Sequence, residues 1–570
     1  MLWGVAGVLL AGVALGAWLA VDALRARDAL EEAADAVRLV VDDLQDDPAA
    51  AQAAVAGLQD AAGRAADATS GPHWTIAGWL PWIGDDTRAL QTITRSVDTL
   101  ATSALPPLVT VAGSVTPEQL APRDGRLDVS ALAAVAGPVG TADQTIGALQ
   151  AEVAGIDRSG LVGPLAEATD RFAGELAKAR GVTSAAAAAT ALLPPLLGAD
   201  GPRDWIVLAQ NNAETRATGG IPGALTHLRA ADGRLTILGQ RTAGDFGPYP
   251  EPVLPLTDDE LRLFGTKLGR YLQDVNFTPD FPRTAELVRA MWQEADGTAI
   301  QNVVSLDPVA LQTLLAATGP VAFRDPLGAT VTLGGDNAAS FLLSGVYAAY
   351  DRQEVQDAVF ALAAQAVFAR LMSGDVDPAA LLRAVSEVAS QGRLMVWSAD
   401  PGEQQQLESA GIAGALRGAV PAGTSTAPEI GVFANLTTAS KTGYYLDLAA
   451  GVTTVAEAAD GSRELEVRVS LTNRLRPGEI DALPAHVTWG APKDGSIRVN
   501  LTVYAPAGGT IEPASPEISG MQVQHDGLAV SGDLVRLPAG ETLEFAWRVT
   551  TAPGQGAEPV LRVTPGARNP

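Results

Sequence analysis

The sequence predicts a multidomain protein with four parts. These are an N-terminal transmembrane helix (1–24), an α-helical stalk or bundle (25–199), a layered α/β domain (200–425) and a C-terminal antiparallel β-sandwich (426–570). Three observations predict this division. The chain opens with a twenty-residue run, Leu2 to Val21, that carries no charge. A helical period of 3.6 residues then dominates as far as about Leu193. Strand patterning begins near Asp204 and becomes exclusive after about Ile430. The length of 570 residues also exceeds one ordinary core, since domains run to roughly 100–200 residues each.

The opening run, LWGVAGVLLAGVALGAWLAV, is closed by Asp22, Arg25 and Arg27. Twenty residues at about 1.5 Å each span the roughly 30 Å hydrocarbon layer. A cleaved signal peptide would need a basic start and a small-x-small exit. The run has no basic start and a poor exit, so an uncleaved, single-pass membrane anchor is expected. The arginines that follow it lean toward a cytoplasmic body by the positive-inside rule. The resemblance given below implies the opposite side, and an extracytoplasmic body is the expectation adopted.

Helices follow. ALEEAADAVRLVVDDLQ has apolar residues on a helical period with acids near its start, and Asp47-Pro48 breaks it. AAAQAAVAGLQDAAGRAADA repeats the type up to Gly71-Pro72. Trp74, Trp79 and Trp82 then fall close together, a pattern that suits a hydrophobic plug between helices better than a sugar platform. Further helices are expected at about 86–105, 130–149 and 165–193.

WIVLAQ, from Trp205, reads as a buried strand, and GALTHLRAADGRLTILGQR as two strands about an Asp232-Gly233 turn. PDFPRTAELVRAMWQEA is a helix begun after Pro279 and Pro282. In VVSLDPVALQTLLAATGPV a strand leads to Asp307 as N-cap and Pro308 at the first helical position. Strands alternating with helices make a layered α/β domain. ELEVRVSLTNRL, SIRVNLTVYAP and LEFAWRVTTAP alternate apolar and polar residues between Pro/Gly turns, as sandwich strands do.

Composition excludes several functions. There are 39 Lys plus Arg against 65 Asp plus Glu, a net charge of −26, which argues against a general nucleic-acid binder. No cysteine is present, which removes disulfides, thiolate nucleophiles and zinc knuckles together. Four scattered His (73, 227, 486 and 525) do not make a His-rich metal site or a Ser-His-Asp arrangement. Hydrophobic residues at 47% exclude wholesale disorder.

The residues that could carry chemistry cluster in QNNAETRATGGIPG, Gln210 to Gly223. Asn211, Asn212, Glu214, Thr218, Gly219 and Gly220 would form a loop whose backbone N–H groups approach a ligand. Arg216 would bind phosphate bidentately. A tight structural turn with a solvated Arg is the equal alternative. Arg241 in LGQRTAGDFG, close to Asp245, is expected to meet Arg216 at one mouth of the sheet if the hairpin brings their strand ends together. The alternative is a plain Arg241–Asp245 ion pair. Arg352 in YDRQE opens a helix and either points to the same mouth or is solvated. Asp274, Asn276, Asp280 and Arg283 form a polar loop that lines the pocket or caps the next helix, and His227 reads as a packed or surface strand residue.

Taken in order, QNNAETRATGGIPGAL, DGRLTILGQRTAGDF, DVNFTPDFPRTAELV and VVSLDPVALQTLLAATGPV resemble the family catalogued as domain of unknown function 4012, over roughly residues 70–450. Its members are typically actinobacterial and membrane-anchored. Over about residues 200–375 the same order is similar to the LytR-CpsA-Psr ligases. Those enzymes transfer a glycopolymer from a polyprenyl-pyrophosphate carrier to peptidoglycan outside the cell. The resemblance implies that Arg216, Arg241 and Arg352 neutralise pyrophosphate. It further implies that Asp245 or Asp351 holds Mg2+ or deprotonates the acceptor. The chain departs from that family where Thr218-Gly219-Gly220 replaces the motif's Asp-Thr, which removes a metal-holding carboxylate and leaves the arginines. Two expectations follow. One is a cell-envelope glycopolymer transferase. The other is a non-catalytic scaffold or adaptor with a degenerate ligase-like domain, meeting cell-wall or protein partners and no nucleic acid.

Overall fold

The computed structural model describes residues 2–43, 48–114, 121–123, 125–416, 427–518 and 520–568. The chain divides into two compact units, one of residues 1–120 with 128–195, the other of 121–127 with 196–570.

The first unit is helical. α1 (Leu2–Asp43), α2 (Pro48–Thr69), α3 (Pro72–Ala77), α4 (Gly84–Thr99), α5 (Leu105–Ser114), α6 (Val129–Ala154) and α7 (Gly163–Leu196) make it up, with one π-helical turn at Leu100–Ala104. α1 packs on α2 through small side chains, Ala33 against Leu58, Ala61 and Ala62, and Arg64 reaches across to Glu32 at 2.5 Å. Asp128 caps α6 by accepting N–H bonds from Ser130 and Ala131. The expected anchor falls mostly on side chains outside the described residues, those of α1 being described at 15–36. Among the described residues no helix is long and apolar enough to cross a membrane.

The Trp plug is corrected. Trp74 is buried at 2% exposure, but Trp79 and Trp82 stand 83% and 84% exposed. The reason is local. α3 ends at Ala77, and the backbone closes a turn by Trp79 N–H to Ile76 O and Leu80 N–H to Ala77 O. That turn carries both rings away from the helix interface.

The second unit has strands β1 (Arg203–Arg216), β2 (Gly219–Ala231), β3 (Arg234–Thr242), β4 (Asn302–Leu306), β5 (Val321–Arg324), β6 (Thr330–Leu333) and β7 (Met395–Ser398) in its first part. The main sheet has the order β3-β2-β1-β4-β7. It is mixed, β1 being antiparallel to β2 and parallel to β4. Asp232 at φ 50° and Gly233 at φ 77° form the expected two-residue turn, a mirror-image turn that matches the twist of its strands. Helix α8 (Phe281–Asp296) covers one face, burying Phe281, Leu287, Met291 and Trp292 on Ile206, Leu225 and Val303. Helix α9 (Pro308–Thr318) is capped by Asp307, as its sequence predicts, with Ala310 N–H donating at 2.7 Å. α10 (Gln353–Leu371) packs with the β5–β6 hairpin in a smaller core. α11 (Pro378–Ser390) and α12 (Pro401–Ser409) flank β7 in the chain.

The rest is two facing sheets. β8 (Glu429–Leu436), β9 (Leu446–Glu457), β10 (Arg463–Asn473), β11 (Ile497–Tyr504), β12 (Thr510–Pro513), β13 (Met521–His525), β14 (Leu528–Leu537), β15 (Thr542–Thr550) and β16 (Val560–Val563) form orders β12-β15-β10-β9 and β13-β14-β11-β8-β16. Their inner faces share one core, in which Val467, Leu471, Val499, Leu501 and Trp547 are essentially unexposed. Each such side chain stabilises the fold by about 1.5–3 kcal/mol. The Trp547 indole N–H donates to Ser531 Oγ at 3.0 Å, so its polar atom is not orphaned. Residues expected to fold as a separate α/β domain and sandwich thus lie in one compact unit.

Candidate functional site

The motif strand β1 is regular to Ala209 and then bulges, its pairing with β2 shifting between Asn211 and Thr215. The bulge needs a glycine opposite. A Cβ on Gly220 would lie 2.0 Å from the Asn211 carbonyl oxygen, and Gly219 sits at φ +134°.

The bulge turns polar side chains inward, where they bind one another. Gln210 donates to Ser305 Oγ at 2.6 Å and accepts from Gly220 N–H at 3.0 Å. Asn276 donates to Gly220 O at 2.6 Å and Thr218 Oγ1 at 3.1 Å. Asn212 is fully buried and donates to Asp307 Oδ2 at 2.9 Å and Pro565 O at 3.0 Å. Asp307 also accepts from Arg393 at 2.6 Å, an ion pair with both side chains 4% exposed. Asn211 donates to Glu214 at 3.2 Å and to the Tyr347 hydroxyl at 2.9 Å. Lys441, from the loop ahead of β9, pairs with Glu214 at 2.6 Å and lies 5.0 Å from the Tyr347 ring centre. Burial, then the Glu214 charge, pushes the Tyr347 pKa up. Burial, with Asp245 and Glu354 adding, likewise raises Asp357 in α10, while Lys441 opposes this.

The three expected phosphate-binding arginines go to three different places. Arg216 is buried, donates to the Leu436 and Thr215 carbonyls, pairs with Asp274 at 3.1 Å and lies 4.7 Å from the Phe277 ring centre. Arg241 pairs with Asp296 at 2.6 Å and lies over Trp292 and Phe246, so the alternative pair with Asp245 is not formed either. Arg352 is 76% exposed beside Glu354. The expected meeting of Arg216 and Arg241 fails on register. Arg241 pairs with Leu225 in β2, which pairs with Leu208 in β1, eight residues short of Arg216.

The carboxylates expected to hold Mg2+ are also apart in role. Asp245 closes its own turn by accepting Thr242 N–H at 2.7 Å, and Asp351 is exposed. Among the described residues no group of three or more His, Asp or Glu is placed to hold a metal ion. The polar loop caps a helix, Asp280 accepting N–H bonds from Arg283 at 3.2 Å and Leu416 at 2.8 Å. Burial pushes its pKa up to about 6. His227 is a packed strand residue bonded to Asp204 at 2.8 Å.

A cleft that the motif does not announce adjoins it at Thr218, with a volume of about 950 Å³. Thr218, the segment 389–395, the start of β9, the outer face of β10 and the C-terminal strand β16 line it. Four arginines, Arg393, Arg474, Arg562 and Arg568, face it with three acids, Glu408, Glu429 and Asp447. Its apolar wall includes Met395, Leu448, Val560 and Leu561. Arg474, paired with Asp447, is 58% exposed, and Arg568 is exposed beside the Tyr444 ring at 4.8 Å. Nothing in the local sequence marks these residues, because they come from strands far apart in the chain.

No curated protein matches the chain. Residues 200–347, which hold the bulged motif, Asp274, Asp307 and Tyr347, match the model of the family described as protein of unknown function (DUF4012).

Proposed function

We propose that the chain is a non-catalytic, membrane-anchored protein of the cell envelope, with its body outside the cytoplasm. In this reading it is a scaffold that holds an anionic, partly apolar ligand in the 950 Å³ cleft. A polyprenyl-phosphate-linked glycan has that chemistry. One observation carries the choice of scaffold over transferase. Arg216, Arg241 and Arg352 each face a different carboxylate, Asp274, Asp296 and Glu354. Pyrophosphate transfer needs such charges gathered on one group.

Ligand capture is supported by the exposed guanidinium groups of the cleft. Arg393 is neutralised by Asp307, and three arginines then balance three acids, but Arg474 at 58% exposure and the exposed Arg568 present their charge to solvent at the cleft. Guanidinium groups bind phosphate oxygens in pairs, and the neighbouring Leu, Val and Met side chains suit the first isoprene units.

The test is a titration of the detergent-purified chain with a short polyprenyl pyrophosphate, with and without magnesium, repeated on the double variant Arg474→Ala/Arg568→Ala. Saturable binding that is independent of magnesium and weakened at least tenfold in the variant is expected. Magnesium-dependent turnover would restore the transferase reading. No binding to folded protein would remove the lipid-phosphate ligand.

A further inference from the structure

We infer that Trp79 and Trp82, with Trp18, form an aromatic anchor seated in the headgroup layer of a lipid bilayer, at the end of the apolar run of α1. This rests on the membrane reading of residues 2–21.

Exposure comes first. Trp79 and Trp82 are 83% and 84% exposed, and Trp18, Ile76 and Leu24 are 57%, 52% and 58% exposed in the same helical unit. Two tryptophans three residues apart and this exposed present more apolar area than single scattered residues do.

Position comes second. The segment carrying the two rings is fixed to α1. His73 stacks on Trp18 with ring centres 4.1 Å apart and planes 10° from parallel, and its Nε2 lies 2.9 Å from Asp22 Oδ2. Trp74 is buried with Leu19 and Ala77, and Leu15, Ala23 and Ile83 pack around them. The turn itself is tight. Gly84 N–H donates to Leu80 O at 2.8 Å, and a Cβ on Gly84 would lie 2.7 Å from Gly78 O. Trp79 and Trp82 are therefore held close to residues 15–23 of α1.

That level is where a bilayer would end. The uncharged run stops at Val21. Trp18 is three residues before that end, about 4–5 Å at a helical rise of 1.5 Å. Tryptophan, with a broad apolar ring and one N–H donor, concentrates at this boundary on both sides of a membrane.

The charges nearby select the mode of contact. Arg25 pairs with Asp22 and Arg27 with Glu31, so the patch has no basic surplus. Attachment would come from ring insertion and not from attraction to anionic lipid. Phosphatidylcholine should serve as well as a mixture containing phosphatidylglycerol.

The absence of cysteine makes the test direct. The whole chain with Trp79→Cys or Trp82→Cys, spin-labelled and reconstituted in phosphatidylcholine vesicles, is separated by flotation. Its label is then probed with oxygen and with a water-soluble nickel complex. Val182→Cys, at a site 72% exposed in the same unit, is the aqueous reference. Labels at 79 and 82 should favour oxygen and be shielded from nickel several-fold relative to 182. Floating protein with labels at 79 and 82 as open to nickel as 182 would overturn the aromatic anchor and leave the α1 anchor standing. That result would point to a sugar or a second copy as the partner of the rings. Protein that does not float would overturn both.

Discussion

Arg216 and Asp274 face each other at 3.1 Å with side chains only 9% and 14% exposed. Burial works against both charges, pushing Arg216 down and Asp274 up, and their attraction opposes each shift. The guanidinium spans two parts of the second unit, since it also donates to Leu436 O in β8. It is held as a joint would be, and a bound anion would have to displace Asp274 from it.

The pair therefore predicts a stability effect. Asp274→Ala leaves a buried, unpaired guanidinium and should cost about 3–5 kcal/mol. The double change Arg216→Met/Asp274→Leu should recover most of that loss, since apolar replacements of buried pairs are often neutral. Denaturant unfolding followed by tryptophan fluorescence measures both. An Asp274→Ala protein as stable as wild type would mean that Arg216 is solvated and available to a ligand.

The bulge in β1 makes a second prediction, because two glycines of one motif should behave oppositely. A Cβ on Gly220 would meet the Asn211 carbonyl at 2.0 Å and Asn212 N at 2.4 Å, all backbone that cannot step aside. One on Gly223 would meet only Ala209 O at 4.0 Å. Gly220→Ala should cost at least the upper end of the roughly 1–3 kcal/mol typical of overpacking. Gly223→Ala should stay within about 0.5 kcal/mol of wild type. Equal midpoints for the two variants would show that the bulge does not need its glycine.

Local chemistry was legible in the sequence, and distant partnership was not. Asp307 and Asp280 announce their caps because an Asp before a helix accepts N–H groups two or three residues on. The Asp232-Gly233 turn is visible because only a few residue pairs tolerate its backbone. Arg216 was visible as unusual, but its partner lies 58 residues away. Arg393 gave no signal, since its role depends on Asp307, 86 residues earlier, and on the Gly566 carbonyl. The length of β3 misled most, because it ends at Thr242 opposite Ala224. A reading that takes the hairpin ends as aligned brings Arg216 and Arg241 together, whereas the observed register sets Arg241 level with Leu208.

Asp280 supplies the pH dependence. Its carboxyl is buried at the start of α8, and burial raises its pKa from 3.8 to about 6. N–H bonds from Leu416 and Arg283 and the charge of Arg562 oppose the rise, and Asp526 adds to it. The sign follows from proton counting. Between about pH 4 and 6 the folded chain keeps a proton at Asp280 that the unfolded chain has released. Stability therefore falls as pH rises through that window. Asp280→Asn cannot ionise and keeps one acceptor oxygen, losing one of the two N–H bonds from Arg283 and Leu416, a cost that is the same at every pH. Below pH 4 the acid is neutral in both states, and wild type and variant should be most alike in their dependence on pH. By pH 7 the variant should have gained about 2–3 kcal/mol relative to wild type, at about 1.4 kcal/mol per pKa unit. Urea unfolding of both proteins at pH 4, 5, 6 and 7 measures the difference. A difference that stays flat across the series would mean that Asp280 titrates like an exposed carboxylate and that its burial is relieved by solvent.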